Sequence, residues 1–300
     1  MAALKPEMEN HQPSNMSEKV SEKSNETSVI PSSELECLQP GYNPKNLQKI
    51  LREGILLATG GTAILLQMAH PGVAQGVDEH SNFAYRPSDR LRTTMTFMYC
   101  MAWGTIEEKR TILEMVHRAH VPVNGPGYNA NDPHLQLWVA STLFVCGVHM
   151  HQLIFGHMDP AAEDTLYQEY SVMATSLRVP PELWPENRQA FWKYWDENIK
   201  ALPISSHAKN VSNDLLYNKA GPWWLRINLP IVRLVTAEQL PPRLRDAYGL
   251  KAHHKRYKAA LGITRPIYRL LPVSLRQYPV RYYLKDMRKR MDKMKLEGKI

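Results

Sequence analysis

Two histidines three residues apart, His117 and His120, close a run from Ile106 whose apolar positions recur at helical spacing. At 100° per residue, His120 falls about 20° from Leu113 and His117 about 40° from it on the other side. Arg110, Glu107, Glu114, Thr111 and Arg118 fill the opposite arc, so His120 sits within the apolar stripe and His117 at its edge. A buried imidazole needs a partner for its nitrogens, either a hydrogen bond or a metal. Two readings follow: a core histidine bonded to a carbonyl, or an axial ligand to a metal cofactor. Upstream, Arg90 and Thr94 share a helix face with Phe97 and Met101, in a segment that is apolar nearly all round. An arginine there requires an anion: a carboxylate of the chain such as Asp89 or Glu79, a solvated helix end, or a carboxylate of a bound cofactor. Glu114-Met-Val-His117 matches half of a di-iron carboxylate pattern, but that architecture needs two such motifs and two further glutamates. His149 and His151 point to different faces of one helix and cannot chelate one ion together. His70 reads as a cap at a helix end, Glu79-His80 as a loop pair near the pocket, and His253-His254 as surface.

The elements that must hold these residues are helices. A short one is expected over Pro44–Arg52, then an apolar stretch, Gly54–Ala69, stopped by His70-Pro71-Gly72. A loop at 81–88 precedes a helix from about Arg90 to Trp103, ended by Gly104. A charged helix from Thr105 to His120 follows, and Pro122 to Gly127 form a loop. Asn131 or Asp132, followed by Pro133, opens a long helix to Phe155. Further helices are expected over Asp159–Leu177, Pro180–Lys200, two or three within Ala208–Leu261, and Leu275–Glu297. No alternating β-branched run suggests a sheet. The expected fold class is therefore all-α, a single multi-helix domain over residues 41–270. It is flanked by a disordered tail at 1–40, rich in Ser, Glu, Asn and Lys, and by a basic C-terminal helix at 271–300.

Composition narrows the function. The 300 residues are 43% hydrophobic and 22% charged, which excludes collagen-like, wholly disordered and polytopic membrane chains. The net charge of +8 permits contact with anionic membranes and is not in itself a nucleic-acid signature. Three scattered cysteines make neither a disulfide framework nor a zinc ribbon, and they fit a reducing, cytoplasmic compartment. No signal peptide is read, and both long apolar stretches carry polar residues that suit buried core helices better than membrane spans. The nucleophile elbow, the zincin motif, the P-loop and a dinucleotide fingerprint are all missing.

The ordered motifs carry a resemblance. His70-Pro-Gly-Val-Ala-Gln-Gly-Val-Asp-Glu-His-Ser81 is followed by Asp89-Arg-Leu-Arg-Thr-Thr94, then Tyr99 to Gly104. Val116-His-Arg-Ala-His120, Gly125, Tyr128 to Asp132 and Leu137-Trp-Val139 complete the set. Over about residues 45–265 the chain resembles the family of the ER-bound oxygenase mpaB and the rubber oxygenases. The resemblance implies an all-helical oxidoreductase that binds haem b, with His120 as the proximal iron ligand and His117 beside it. It implies that Arg90 and Thr94 are the catalytic, cofactor-facing pair, and that dioxygen cleaves a C=C bond of a hydrophobic small molecule. An isoprenoid or polyketide-type secondary metabolite suits that chemistry.

Two positions depart from the family pattern. Thr93 stands where rubber oxygenases carry lysine, and Ala140 where many bacterial relatives carry histidine. They leave a second reading open, a non-catalytic haem- or lipid-binding protein. The sequence shows no N-terminal membrane helix of the kind ER-bound members carry. Membrane residence therefore does not carry over, and the basic C-terminal helix, where Tyr282, Tyr283, Met287 and Met291 recur beside Arg and Lys, has two readings: a solvated face packed on the domain, or a peripheral membrane contact, at the ER for instance. No nucleic-acid partner is expected.

Overall fold

Prolines and capping residues punctuate the chain into fourteen α-helices among the residues that the computed structural model describes, 35–80, 87–217 and 223–298. Residues 1–34 of the expected tail and 81–86 of the expected loop lie outside them. A short helix α1 (Lys45–Leu51) leads through a 3₁₀ turn, Gly54–Thr59, into α2 (Gly60–Met68) and α3 (Pro71–His80). Next come α4 (Pro87–Trp103) and α5 (Ile106–His120), then a two-residue ladder pairing β1 (Asn124–Gly125) with β2 (Tyr128–Asn129). The second half runs through α6 (Pro133–Phe155), α7 (Pro160–Thr175), α8 (Arg188–Ala201), α9 (Ser206–Leu216), α10 (Trp223–Gln239) and α11 (Pro242–Ala247). It ends with α12 (His254–Leu270), α13 (Val273–Arg276) and α14 (Tyr278–Leu296).

The expected all-α class holds, and several local readings are corrected. Pro71 does not end a helical region; it occupies the first turn of α3, where its missing N–H costs nothing. His70 Nδ1 accepts from the Gly72 N–H at 3.2 Å, so it serves the start of α3 rather than the end of α2. The tail boundary at residue 40 is too late. Leu35, Cys37 and Leu38 are buried in the main core, and the buried Lys109 of α5 holds this strap by donating from Nζ to the Cys37 carbonyl at 2.9 Å.

The core forms around α6, which packs against α1, α2, α7 and α12. By length and composition α6 could cross a membrane, but 78% of its apolar window is buried inside the protein. Trp138 stacks on Trp195 with ring centroids 5.2 Å apart and donates to the Leu66 carbonyl at 3.0 Å. Phe144, Tyr167, Trp184 and Phe191 form an edge-to-face and stacked cluster beside it. The C-terminal helix α14 is also spent on the core. Val280, Leu284, Met287 and Met291 are buried, and the helix packs on α4. Arg288 and Lys295 pair with Glu108 and Glu107 of α5 at 2.7 and 2.6 Å. The methionines that pointed to a membrane therefore face inward.

Two buried histidines of α6 make the fold acid-sensitive. Burial lowers the pKa of His149 to about 3 and that of His151 to about 4. The unfolded chain titrates near 6.5, so it binds more protons than the native state below that pH. Stability is fully present above pH 6.5 and falls as pH drops toward 4, by about 1.4 kcal/mol per pH unit for each histidine. Urea unfolding at pH 7 and 4.5 is expected to show a loss of up to about 5 kcal/mol. A His149→Asn, His151→Asn chain should show a flatter profile, and an equally steep profile in that variant would contradict the assignment.

Candidate functional site

The α4–α5 hairpin sets the site. Gly104 closes it, because a Cβ there would meet the Cys100 carbonyl oxygen at 2.6 Å and its sulfur at 2.7 Å. Thr105 then starts α5 with a capping box: its hydroxyl accepts from the Glu108 N–H at 3.1 Å, and Glu108 accepts from the Thr105 N–H at 2.9 Å. At 1.5 Å rise per residue, Arg90 lies about 21 Å before the turn and His120 about 22 Å after it. The antiparallel hairpin therefore returns His120 to the level of Arg90. The positive charge of Arg90 reaches the imidazole. Burial first, then Arg90, then His117, hold the His120 pKa below its usual value. His120 is neutral at pH 7 and able to ligate.

Two cavities flank this crossing. Arg90 and Thr94 line an apolar one of about 110 Å³, with Met95 and Met98 of α4, Leu143 and Gly147 of α6, Leu57 of the turn leading into α2 and Gly60 at its start. Burial alone lowers the Arg90 pKa. His117 and His120 line a second, polar cavity of about 370 Å³ with Arg110, Arg118, Asn131, Gln136 and Arg178. The structure thus brings the four expected site residues to one end of the hairpin but divides them, the α4 pair on the apolar cavity and the α5 pair on the polar one.

Residues outside the sequence expectation shape the polar cavity. Buried Gln136 donates from Nε2 to the Ala130 carbonyl at 2.7 Å and faces His120 Nδ1 at 3.5 Å, while its Oε1 is buried without a hydrogen-bond partner. Asn131 Oδ1 is buried and unpartnered too. Arg178 holds a left-handed backbone, φ 68°, which costs a non-glycine residue about 1–2 kcal/mol. Its charge, after burial, lowers the His117 pKa. One signal was available for Gln136, an amide near the start of an otherwise apolar helix. None was available for Arg178.

Other expected features are placed elsewhere. The Thr93 hydroxyl is exposed and donates to the Asp89 carbonyl at 2.6 Å on its own helix, so position 93 sends nothing into the apolar cavity. Ala140 is buried, and its carbonyl accepts from Tyr170 at 3.3 Å. Glu79 and His80 both bind the Tyr128 hydroxyl, at 2.6 and 2.8 Å, and pin the β1–β2 ladder to α3 rather than lining either cavity. His254 is exposed and pairs with Glu238 at 2.7 Å.

Among the described residues no three His, Cys, Asp or Glu side chains converge to hold a bare metal ion. A porphyrin iron brings four nitrogens of its own and needs one protein imidazole. The polar cavity falls within the roughly 300–1,000 Å³ of small-molecule sites. Neutral His120 and the arginines lining its cavity fit a group that joins an iron to carboxylates.

The multi-helix fold, with His120 and the Arg90–Thr94 face at one end of the α4–α5 hairpin, sets the comparison with known proteins. The chain belongs to the family described as ER-bound oxygenase mpaB/B'/Rubber oxygenase, catalytic domain, whose model matches residues 47–271. It is 32% identical over 242 residues to uncharacterized protein Mb2261 of Mycobacterium bovis and to uncharacterized protein Rv2237 of Mycobacterium tuberculosis. Each alignment covers 75% of this chain and 93% of the relative. No solved structure matches the chain.

Proposed function

We propose that this protein is a haem b-dependent oxygenase that cleaves or oxidises a C=C bond in a small hydrophobic metabolite, of isoprenoid or polyketide type, within secondary metabolism. The observation that carries the reading is the neutral His120 imidazole held level with Arg90 across the α4–α5 hairpin, in a chain with an oxygenase catalytic domain. Bound there, haem would supply the one-electron and dioxygen chemistry that side chains lack. His120 would hold the iron through a ring nitrogen. Arg90 would hold a carboxylate, of the cofactor or of the substrate, and its low exposure to water strengthens that pairing. Thr94 offers a hydroxyl on the same face, one turn away. Met95, Met98 and Leu143 would exclude water and receive the hydrocarbon. Oxidative cleavage balances simply: one alkene and one dioxygen yield two carbonyl ends.

The test is the visible spectrum of protein purified from cells supplied with a haem precursor, before and after dithionite. A stoichiometric Soret band that shifts on reduction is the expected result. Folded protein that shows no band and takes up no added haemin would overturn the reading. Haem binding without consumption of dioxygen or alkene would favour the non-catalytic reading, which the spent hydroxyl of Thr93 keeps relevant.

A further inference from the structure

From Ala247 to Lys285 the chain carries nine Lys and Arg residues and no Asp or Glu. This stretch contains α12, α13 and the start of α14. Arg276 is tied to Glu53, but Lys255, Arg256, Lys258 and Arg265 are exposed and have no acidic partner among the described residues. Large aliphatic side chains project from the same helix, beside Arg256 and flanked by Lys255. Ile263 is 64% exposed, Ile267 follows one turn later, and Leu270 is 85% exposed. On α10, Ile227 and Ile231 form a second exposed pair one turn apart, and Leu275 of α13 is exposed beyond Leu270.

The two helices are joined as an antiparallel pair. Gln239 Nε2 donates to the Tyr257 hydroxyl at 2.9 Å, and Val235 and Leu261 pack around one small core cluster. That register carries Ile231 to the level of Arg265 and Ile227 to that of Arg269, so the exposed isoleucines of both helices lie at one end of the pair. Single exposed apolar residues are ordinary, whereas a cluster ringed by one sign of charge marks an interaction surface.

We propose that this end of the α10–α12 pair, with α13, is a docking surface for an anionic phospholipid membrane. Charge selects the occupant. A second copy seated face to face would bring the acid-free basic stretches together, and the cores of protein interfaces are depleted in lysine. Nucleic acid would find aliphatic side chains where it needs stacking partners. A bilayer interface takes both features at once, aliphatic side chains below the headgroups and Lys and Arg among the phosphates. The surface differs from α14, whose apolar side is buried on α4. It also adjoins the apolar cavity. Ile55 and Ala58 of the Gly54–Thr59 turn pack beside Tyr268, while Leu57 and Thr59 of that turn line the cavity. Delivery of a lipid-dissolved substrate through that wall rests on the oxygenase reading; membrane docking itself does not.

The full chain is tested by co-sedimentation with phosphatidylcholine vesicles and with phosphatidylcholine–phosphatidylserine vesicles. Binding is expected to the second, falling as salt is raised. Ile263→Asp with Ile267→Asp should weaken it about tenfold or more. Lys255→Glu, Lys258→Glu and Arg265→Glu together should weaken it about a hundredfold. All five side chains are exposed, so unfolding curves should match the parent. Lys289→Glu with Lys293→Glu on α14 should leave binding within about twofold, because those residues lie off the proposed surface. Absence of vesicle binding, binding that the first two variants leave unchanged, or a solution dimer that Ile263→Asp with Ile267→Asp converts to monomer would each overturn the proposal.

Discussion

His120→Ala is expected to purify with little or no haem, while His117→Ala keeps it with a Soret band little moved. The two histidines are a turn apart on α5 and line the same cavity, so composition alone does not separate them. Their surroundings do. His120 is drawn down in pKa by burial and by Arg90 across the hairpin. His117 is lowered by burial first and then by Arg178. The charged neighbour of one ring is Arg90 of α4, and that of the other is Arg178. Because loss of an outer-shell partner alone costs 10–100-fold in metal affinity, removal of the ligand itself should cost about 100-fold or more. A titration of apo protein with haemin, read at the Soret band, measures this. Imidazole added to His120→Ala should restore part of the band by entering the space left, which a merely unfolded variant would not show. Stoichiometric haem with an unchanged spectrum in His120→Ala would move the ligand elsewhere and dissolve the reading of Arg90 as its opposite wall.

What could be read in advance was what local chemistry determines. Thr105, Pro133 and Gly104 each act within one turn, and their helix ends fall where the sequence places them. The inward-facing positions of Arg90 and His120 on their own helices were also legible. Features that depend on distant partners were not. Lys109 lies in the apolar stripe of α5, yet its partner, the Cys37 carbonyl, comes from a strap that polar composition assigns to the tail. The charges of α14 read as solvated or membrane-facing because Glu107 and Glu108 lie some 180 residues away in sequence. The division of the site into an apolar and a polar cavity arises from α1, α2, α6 and α7 closing around the hairpin, and no single segment encodes it.

Breaking the Glu53–Arg276 pair is expected to produce the largest loss of stability. Glu53 is 2% exposed and accepts from Arg276 Nη1 on both oxygens at 3.0 Å. The Tyr268 hydroxyl adds a donor at 3.1 Å, and Arg52 Nε another at 3.2 Å. Arg276 in turn lies over the rings of Phe155 and Tyr268 and donates to the Leu271 carbonyl. Removing either partner strands the other charge in a site that excludes water, at a cost of about 3–5 kcal/mol. A domain of ordinary stability has about 5–15 kcal/mol in all. Glu53→Ala and Arg276→Ala should each lower the unfolding free energy measured in urea by that amount. The double variant Glu53→Met with Arg276→Met should recover most of the loss, because the desolvated charges leave together. Single variants within about 1 kcal/mol of the parent would show instead that water reaches the pair. The location gives the result a second use. This pair fastens the Gly54–Thr59 turn, one wall of the apolar cavity, to the α12–α13 corner that carries Leu270 and Leu275. Of the methionine double variant, the expectation is therefore recovered stability with weaker binding of apolar ligands, because packing alone would then hold a wall that the ion pair fixes in direction.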